Sequence, residues 1–328
     1  MKFAAYLGMF FAGLLAVAAQ TPLSRLERVY ISGAGYIRLD DWARANGGQI
    51  KWVTPKREVR ALLPAGTVVL ATDSRKSTLK GINVWLSAPV VLRGTSAYVA
   101  VTDLETTIQP LLFPTRAAAA RPIRTIVLDP GHGGKDPGNL EGLKQEKYYT
   151  LLLAGELRDL LTKAGFKVHL TRATDTLIDL NQRPSIARQR GADLFISLHF
   201  NSADGPGGST VQGSEVYCLT PAQSHSTNDR AERGRPQAQP GNRHDSRNLQ
   251  LAYQIQKALV TKAGSADRGV KRARYAVLKF AEMPAVLIEA AFMTHAGDAK
   301  KIYNATQRRA IAQSIVDAVQ AYKKLVEG

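Results

Sequence analysis

The sequence predicts an α/β fold, a mostly parallel sheet with helices on both faces, preceded by a small α+β domain. Two observations carry the larger part. Apolar runs at Thr125-Ile-Val-Leu-Asp129, Ala192-Asp-Leu-Phe-Ile-Ser-Leu198 and Ala285-Val-Leu-Ile288 read as strands buried on both faces, which parallel sheets require. Helical stretches separate them, and such alternation favours parallel crossovers. The third observation concerns the first third of the chain, where short apolar and alternating runs crowd together with turns and one helix.

From the start, residues 1–20 hold a lone Lys2, an apolar stretch from Phe3 to Ala19 and small residues at Ala16-Val-Ala18. This reads as a secretory signal peptide, with an uncleaved anchor as the alternative. No second segment of membrane length follows, so no membrane span is expected after signal removal, and the protein is expected to be exported to the periplasm, the cell envelope or the medium. The small domain spans 28–114. Leu39-Asp-Asp-Trp-Ala-Arg-Ala-Asn46 reads as its helix, stopped by Gly47-Gly48, and strands are expected at 49–53, 59–63, 67–71, 83–86, 89–92 and 97–101. Residues 115–124, rich in Ala, Arg and Pro, read as a linker.

Beyond the linker, a domain over 125–326 is expected to alternate strands at 125–129, 167–172, 192–199, 213–219, 273–279 and 285–292 with helices near 146–163, 180–190, 246–263 and 306–325. In the last helix Ile311, Ile315, Ala318, Val319 and Tyr322 fall on one stripe. A polar insert at 220–244 cannot build a core and reads as a long loop.

Composition narrows the chemistry. The one cysteine, Cys218, lies in a strand-like run and is expected to pack as a small apolar side chain, so neither disulfides nor thiol catalysis are expected. Forty-four Lys and Arg residues against 27 acidic ones give a net charge of +17. No nucleic-acid-binding signature accompanies them, so nucleic acid is not an expected partner; anionic envelope polymers are the candidate partner of an exported basic protein, and a basic surface without a specific partner is the alternative.

The candidate site residues are His132, Glu146, His199 and Glu289. Three of them follow or end the buried strands, where an open α/β sheet places functional groups. Two imidazoles and one carboxylate make a three-ligand zinc site that keeps a position for water, and a further carboxylate, Glu289, can take that water's proton. Each has a plainer reading: a structural histidine in a Gly-rich turn for His132, a helix-dipole carboxylate for Glu146 and a core histidine for His199. For Glu289 the plainer reading is an ion pair to Arg272 or Arg274. Asp129 is placed to brace the turn before His132. Arg172 and Arg183 are candidates for structural or substrate-facing roles, and His169, His225, His244 and His295 are not assigned to the metal. A zinc carboxypeptidase would need a His-x-x-Glu pair, and His132-Gly-Gly-Lys135 lacks it.

Four segments occur in order: Asp129-Pro-Gly-His-Gly-Gly-Lys-Asp-Pro-Gly138, Gly142-Leu-Lys-Gln-Glu-Lys147, Ser197-Leu-His-Phe-Asn-Ser202 and Met283-Pro-Ala-Val-Leu-Ile-Glu-Ala-Ala-Phe292. Together they resemble the zinc-dependent N-acetylmuramoyl-L-alanine amidases of the bacterial cell wall (Amidase_3 family), from about Arg124 to Lys324. The resemblance implies one Zn2+ on His132, Glu146 and His199, choosing Glu146 over Glu141 by its Glu-Lys register, although Tyr148 and Gln145 depart from the family pattern. It implies Glu289 as general base and proton donor, and peptidoglycan as substrate, cut between N-acetylmuramic acid and L-alanine. Some relatives cap the metal with an acidic residue on a mobile segment, which singles out Glu232 and makes 220–244 a candidate gate for a protein activator, a surface loop without regulation being the plainer reading. The layout of 28–114, with Tyr36-Ile-Arg-Leu39, the Trp52 strand and Gly94-Thr-Ser-Ala-Tyr-Val-Ala100, resembles the domain named after the N-terminal region of copper amine oxidases. No His or Cys lies there, so no copper is expected, and wall attachment or structural support are its candidate roles. The alternative to an enzyme is a catalytically silent peptidoglycan-binding protein or amidase regulator.

Overall fold

The computed structural model describes residues 22–114, 121–227 and 236–328; the expected signal peptide, part of the expected linker and Glu232 lie outside them. The N-terminal unit contains β1 (Val29–Ile31), β2 (Ala34–Arg38), α1 (Leu39–Ala45), β3 (Gln49–Thr54), β4 (Glu58–Leu63), β5 (Gly66–Ala71), β6 (Lys76–Leu79), β7 (Ile82–Trp85), β8 (Val91–Arg93) and β9 (Ser96–Ala100). A helical run closes it, α2 (Val101–Asp103) and α3 (Gln109–Leu112) joined by a π-helical turn over Leu104–Ile108. Next come β10 (Thr125–Pro130), a hairpin of β11 (Leu140–Glu141) and β12 (Lys144–Gln145), α4 (Glu146–Lys163), β13 (Lys167–Leu170), α5 (Gln182–Gln189), β14 (Leu194–Asn201) and β15 (Ser214–Leu219). The chain ends with α6 (Asp245–Thr261), β16 (Asp267–Ala273), α7 (Ala276–Lys279), β17 (Ala285–Phe292), α8 (Ala296–Tyr303) and α9 (Ala305–Glu327).

One 11-stranded sheet runs β13-β10-β14-β17-β15-β16-β7-β6-β5-β4-β3. Its first six strands are parallel throughout except where β15 meets β17, and the strands from β7 to β3 are antiparallel meanders. The join is β7 lying parallel to β16, Val84 opposite Val270. Asn83 N–H donates to Asp267 Oδ2 at 2.8 Å, and Trp85 Nε1 donates to the Arg268 carbonyl at 3.1 Å. Strands β3 to β7 of the N-terminal unit thus continue the sheet of the rest, β1, β2, β9 and β8 form a four-stranded sheet of their own, and one apolar core runs through both parts.

Strand alternation sorts side chains onto two faces. Ile126, Leu128, Leu194, Ile196, Leu198, Val216, Cys218, Val286 and Ile288 face the core under α4, α6 and α9. Val127, Phe195, Tyr217, Leu219, Ala285 and Leu287 face the opposite core, which takes in Ala187 of α5 and Val277 and Leu278 of α7. The stripe expected on the last helix is buried along its length, Ile311, Ile315, Ala318, Val319 and Tyr322, each large side chain contributing about 2 kcal/mol of burial. Asn304 caps that helix by accepting from the Gln307 N–H at 3.1 Å.

One expected element is corrected. The strand expected at 273–279 lies earlier: β16 occupies Asp267–Ala273, and α7 follows at Ala276–Lys279. The charges of Arg268, Lys271 and Arg272 hide the strand from a hydrophobicity pattern because their partners are distant in sequence, Glu215 for the first two and the Leu219 and Thr106 carbonyls for Arg272. β1, β6 and the helical run from Val101 to Leu112 are likewise absent from the sequence reading.

Candidate metal centre and active site

β10 ends in the Gly131-His132-Gly133-Gly134 turn, where His132 takes the left-handed conformation at φ +61°. That conformation costs a non-glycine residue about 1 kcal/mol, so the surroundings must hold it. Two buried arginines do so. Arg172 donates through Nε to the Pro130 carbonyl at 3.0 Å and through Nη2 to the Gly131 carbonyl at 2.7 Å. Arg183 donates to the Pro130 and His132 carbonyls at 3.0 Å each and pairs with Asp129 at 2.9 Å. Asp129, fully buried, also accepts from Thr171 at 2.6 Å and from Ser197 of β14 at 2.8 Å, tying together the strands that carry His132 and His199.

Glu146 is the first residue of α4 and is buried between the two rings. Its Oε2 lies 3.1 Å from His132 Nε2 and its Oε1 2.9 Å from His199 Nδ1. The same carboxylate accepts the Asn139 N–H at 2.9 Å and the Phe200 N–H at 3.1 Å. Donor atoms of His132, Glu146 and His199 all lie within 4.8 Å of one another, and this is the one such cluster among the described residues. The remaining nitrogen of His132, Nδ1, meets Asp136 Oδ2 at 2.8 Å, an outer carboxylate that fixes the ring's orientation.

Two glycines are demanded by this convergence. A Cβ on Gly131 would sit 2.2 Å from His199 Cε1, and one on Gly138 would sit 2.6 Å from both Glu146 Oε2 and His132 Cδ2. The electrostatics agree with a cation's seat. Burial alone would raise the Glu146 carboxyl, but the two imidazoles outweigh it and hold its pKa well below the usual carboxylate range. Burial works to lower the His132 imidazole, and Glu146 and Asp136 together outweigh it, leaving its pKa raised. The donor set, two nitrogens and one carboxylate oxygen in glycine-cleared space, fits a metal ion such as zinc.

Glu289 sits in β17 directly opposite His199 in the parallel register. Its Oε2 is buried without a hydrogen-bond partner, and its pKa is raised well above the ordinary value, by desolvation first and then by Glu146 and Glu215. Arg272 donates instead to the Leu219 and Thr106 carbonyls, and Arg274 to Ser226, Pro221 and Ser224. Glu289 and the metal cluster line one cleft of about 540 Å³, walled on its apolar side by Leu180, Tyr275, Val277 and Leu287.

All four residues singled out in the sequence therefore meet in one cleft. The remaining histidines stay apart: His169 lies on the edge strand β13, the His225 carbonyl accepts from Arg75, His244 bonds the Glu282 carbonyl, and His295 caps α8. Arg172 and Arg183 turn out to be buried backbone clamps. Of the 220–244 insert, the described ends are tied down, with Gln223 N–H donating to the Pro236 carbonyl at 2.9 Å and residues Pro240–His244 forming a 3₁₀ helix. Sequence reasoning leaves Asp136, Asn139 and Glu215 unassigned. Asp136 was visible within the first motif, four residues after His132; Glu215 had no local signal.

A family model described as N-acetylmuramoyl-L-alanine amidase (Amidase_3) matches residues 126–321. Among curated proteins, the chain is 35% identical over 198 residues to N-acetylmuramoyl-L-alanine amidase LytC of Bacillus subtilis, covering 60% of this chain and 35% of LytC. It is 32% identical over 249 residues to AmiC of Escherichia coli O6:H1, covering 67% of this chain and 58% of AmiC. Among solved structures, an N-acetylmuramoyl-L-alanine amidase from Clostridium difficile 630 superposes with a TM-score of 0.51 at 29% identity, over 62% of this chain and 97% of that one. AmiC2 of Nostoc punctiforme matches with a TM-score of 0.51 at 26% identity, over 62% and 99%. With that model spanning well over half its length and the sheet, turn and cluster in place, the chain belongs to the N-acetylmuramoyl-L-alanine amidase family.

Proposed function

We propose that the protein is a zinc-dependent peptidoglycan hydrolase that cuts the amide between the lactyl group of N-acetylmuramic acid and L-alanine. The observation that carries this is the convergence of His132, Glu146 and His199 within 4.8 Å, with the unpartnered Oε2 of Glu289 lining the same cleft. His132, Glu146 and His199 would hold the zinc, which when bound supplies a Lewis acid beside the scissile carbonyl. Glu289 accepts a proton from the attacking water as the water oxygen bonds the carbonyl carbon. It then returns that proton to the alanine nitrogen as the C–N bond breaks, leaving a lactyl carboxylate on the glycan and a free peptide amine. A carboxyl kept basic by burial suits both halves of that transfer. Asp136 holds the His132 ring through Nδ1, and Arg172 and Arg183 hold the backbone of its turn.

The reading places the protein outside the cytoplasm, in keeping with relatives named cell wall amidases, and no described helix is long and apolar enough to cross a membrane. The CwlD amidase of Clostridioides difficile, similar in fold with a TM-score of 0.50, was solved in complex with the GerS lipoprotein; that pairing supports a protein partner here, for which the 220–244 insert is the candidate segment, a surface loop without regulation being the alternative. The N-terminal unit would contribute wall attachment or support. Incubating purified peptidoglycan with the zinc-loaded protein and weighing the products by mass spectrometry tests the central claim. Intact stem peptides beginning with L-alanine are expected, and their absence, or cleavage at another bond, sinks it.

A further inference from the structure

We infer that Glu215 is a positioning residue that keeps the Lys271 ammonium off Glu289, an inference that rests on the hydrolase reading above. β15 runs antiparallel to β17 with Glu215 and Glu289 as direct partners, so their side chains leave the same face of the sheet as neighbours. Their surroundings differ. Glu215, 2% exposed, accepts from Asn201 Nδ2 at 2.6 Å, Tyr217 Oη at 3.2 Å and Arg268 Nε at 3.1 Å, and is in contact with Lys271 Nζ. Glu289 Oε2 has no partner, although the charge of Lys271 reaches it.

A buried ammonium takes a carboxylate whenever one is near, since leaving it unpaired is costly. Two carboxylates here compete for one lysine, and Glu215 wins because it brings Asn201, Tyr217 and Arg268 to the same site. Without its charge, Lys271 turns to Glu289, occupies the lone pair that must accept a proton, and makes the group a poorer base.

The test uses full-length, zinc-loaded protein, measuring peptide release from peptidoglycan, zinc affinity by calorimetry and the melting temperature. Glu215→Gln is expected to lower kcat by about 100-fold, the scale of losing a general base, with KM and zinc affinity near wild type. Adding Lys271→Met to that variant is expected to restore kcat to within about fivefold, which a merely structural role for Glu215 would not allow. A folded, zinc-binding double variant as inactive as Glu215→Gln overturns the inference. Should Glu215→Gln not fold, Lys271→Met alone decides: about a third or more of wild-type kcat supports the inference, and inactivity with zinc bound overturns it. A wild-type protein that releases no peptide overturns the hydrolase reading instead, and is recognised before any variant is compared.

Discussion

The two sides of the cleft are built on opposite plans. On the His132 side every position is fixed several times over: two guanidinium groups hold three consecutive carbonyls, Asp136 holds the ring, and Glu146 accepts from two backbone amides. On the Glu289 side a carboxylate oxygen is buried with nothing to bond. Ligands that must meet one ion within a few tenths of an ångström need a rigid frame. A proton carrier needs a free lone pair, and the fold supplies it by satisfying Glu215, the neighbouring acid, instead.

Removing the ion should break the contrast most severely. A chelator, or Glu146→Ala, is expected to abolish peptide release, with zinc restoring activity to the chelated wild type alone; activity surviving in metal-free protein would refute the ligand assignment. Glu289→Gln should separate the two sides, lowering kcat by about 10²- to 10⁴-fold while calorimetry still shows zinc bound as in wild type. A comparable loss of zinc affinity would place Glu289 among the ligands.

Much of this was legible in the sequence because the informative signals were local. Glu146 opens α4 and Glu289 sits mid-strand in β17, where the apolar runs and the Glu-Lys register had placed them. The DPGHGG run implied a sharp turn, and the structure adds why two glycines are needed: Gly131 and Gly138 face the ligands themselves. What escaped notice depends on pairing across the sheet. Glu215 lies in a strand with no polar signature, and β16 carries three basic residues whose acceptors are 53 or more positions away. The join between β7 and β16 escaped for the same reason, since parallel pairing between residues 84 and 270 leaves no mark in either segment.

Gly131→Ala places a methyl group 2.2 Å from His199 Cε1, so the ring must move. Zinc affinity is expected to fall by about tenfold to 100-fold, the scale of disturbing a ligand's support, while the melting temperature of the metal-free protein changes little. Unchanged affinity would show that His199 tolerates displacement and that the frame is looser than its hydrogen bonds suggest.

Acidity gives the mildest test and acts on the two sides in the same direction for different reasons. In the metal-free protein His132 has a raised pKa, because Glu146 and Asp136 outweigh the effect of burial. Zinc must displace that proton, so affinity is expected to be full above the raised value and to weaken as pH falls through it, by about tenfold per unit well below it. Glu289 must be ionised to accept a proton, so with zinc held saturating kcat should still decline on acidification. Asp136→Asn removes one of the two acids that favour protonated His132 and should move the affinity profile to lower pH while leaving the kcat profile in place. A shift of both profiles together would mean that a single ionisation governs the cleft, and the division between frame and proton carrier would fail.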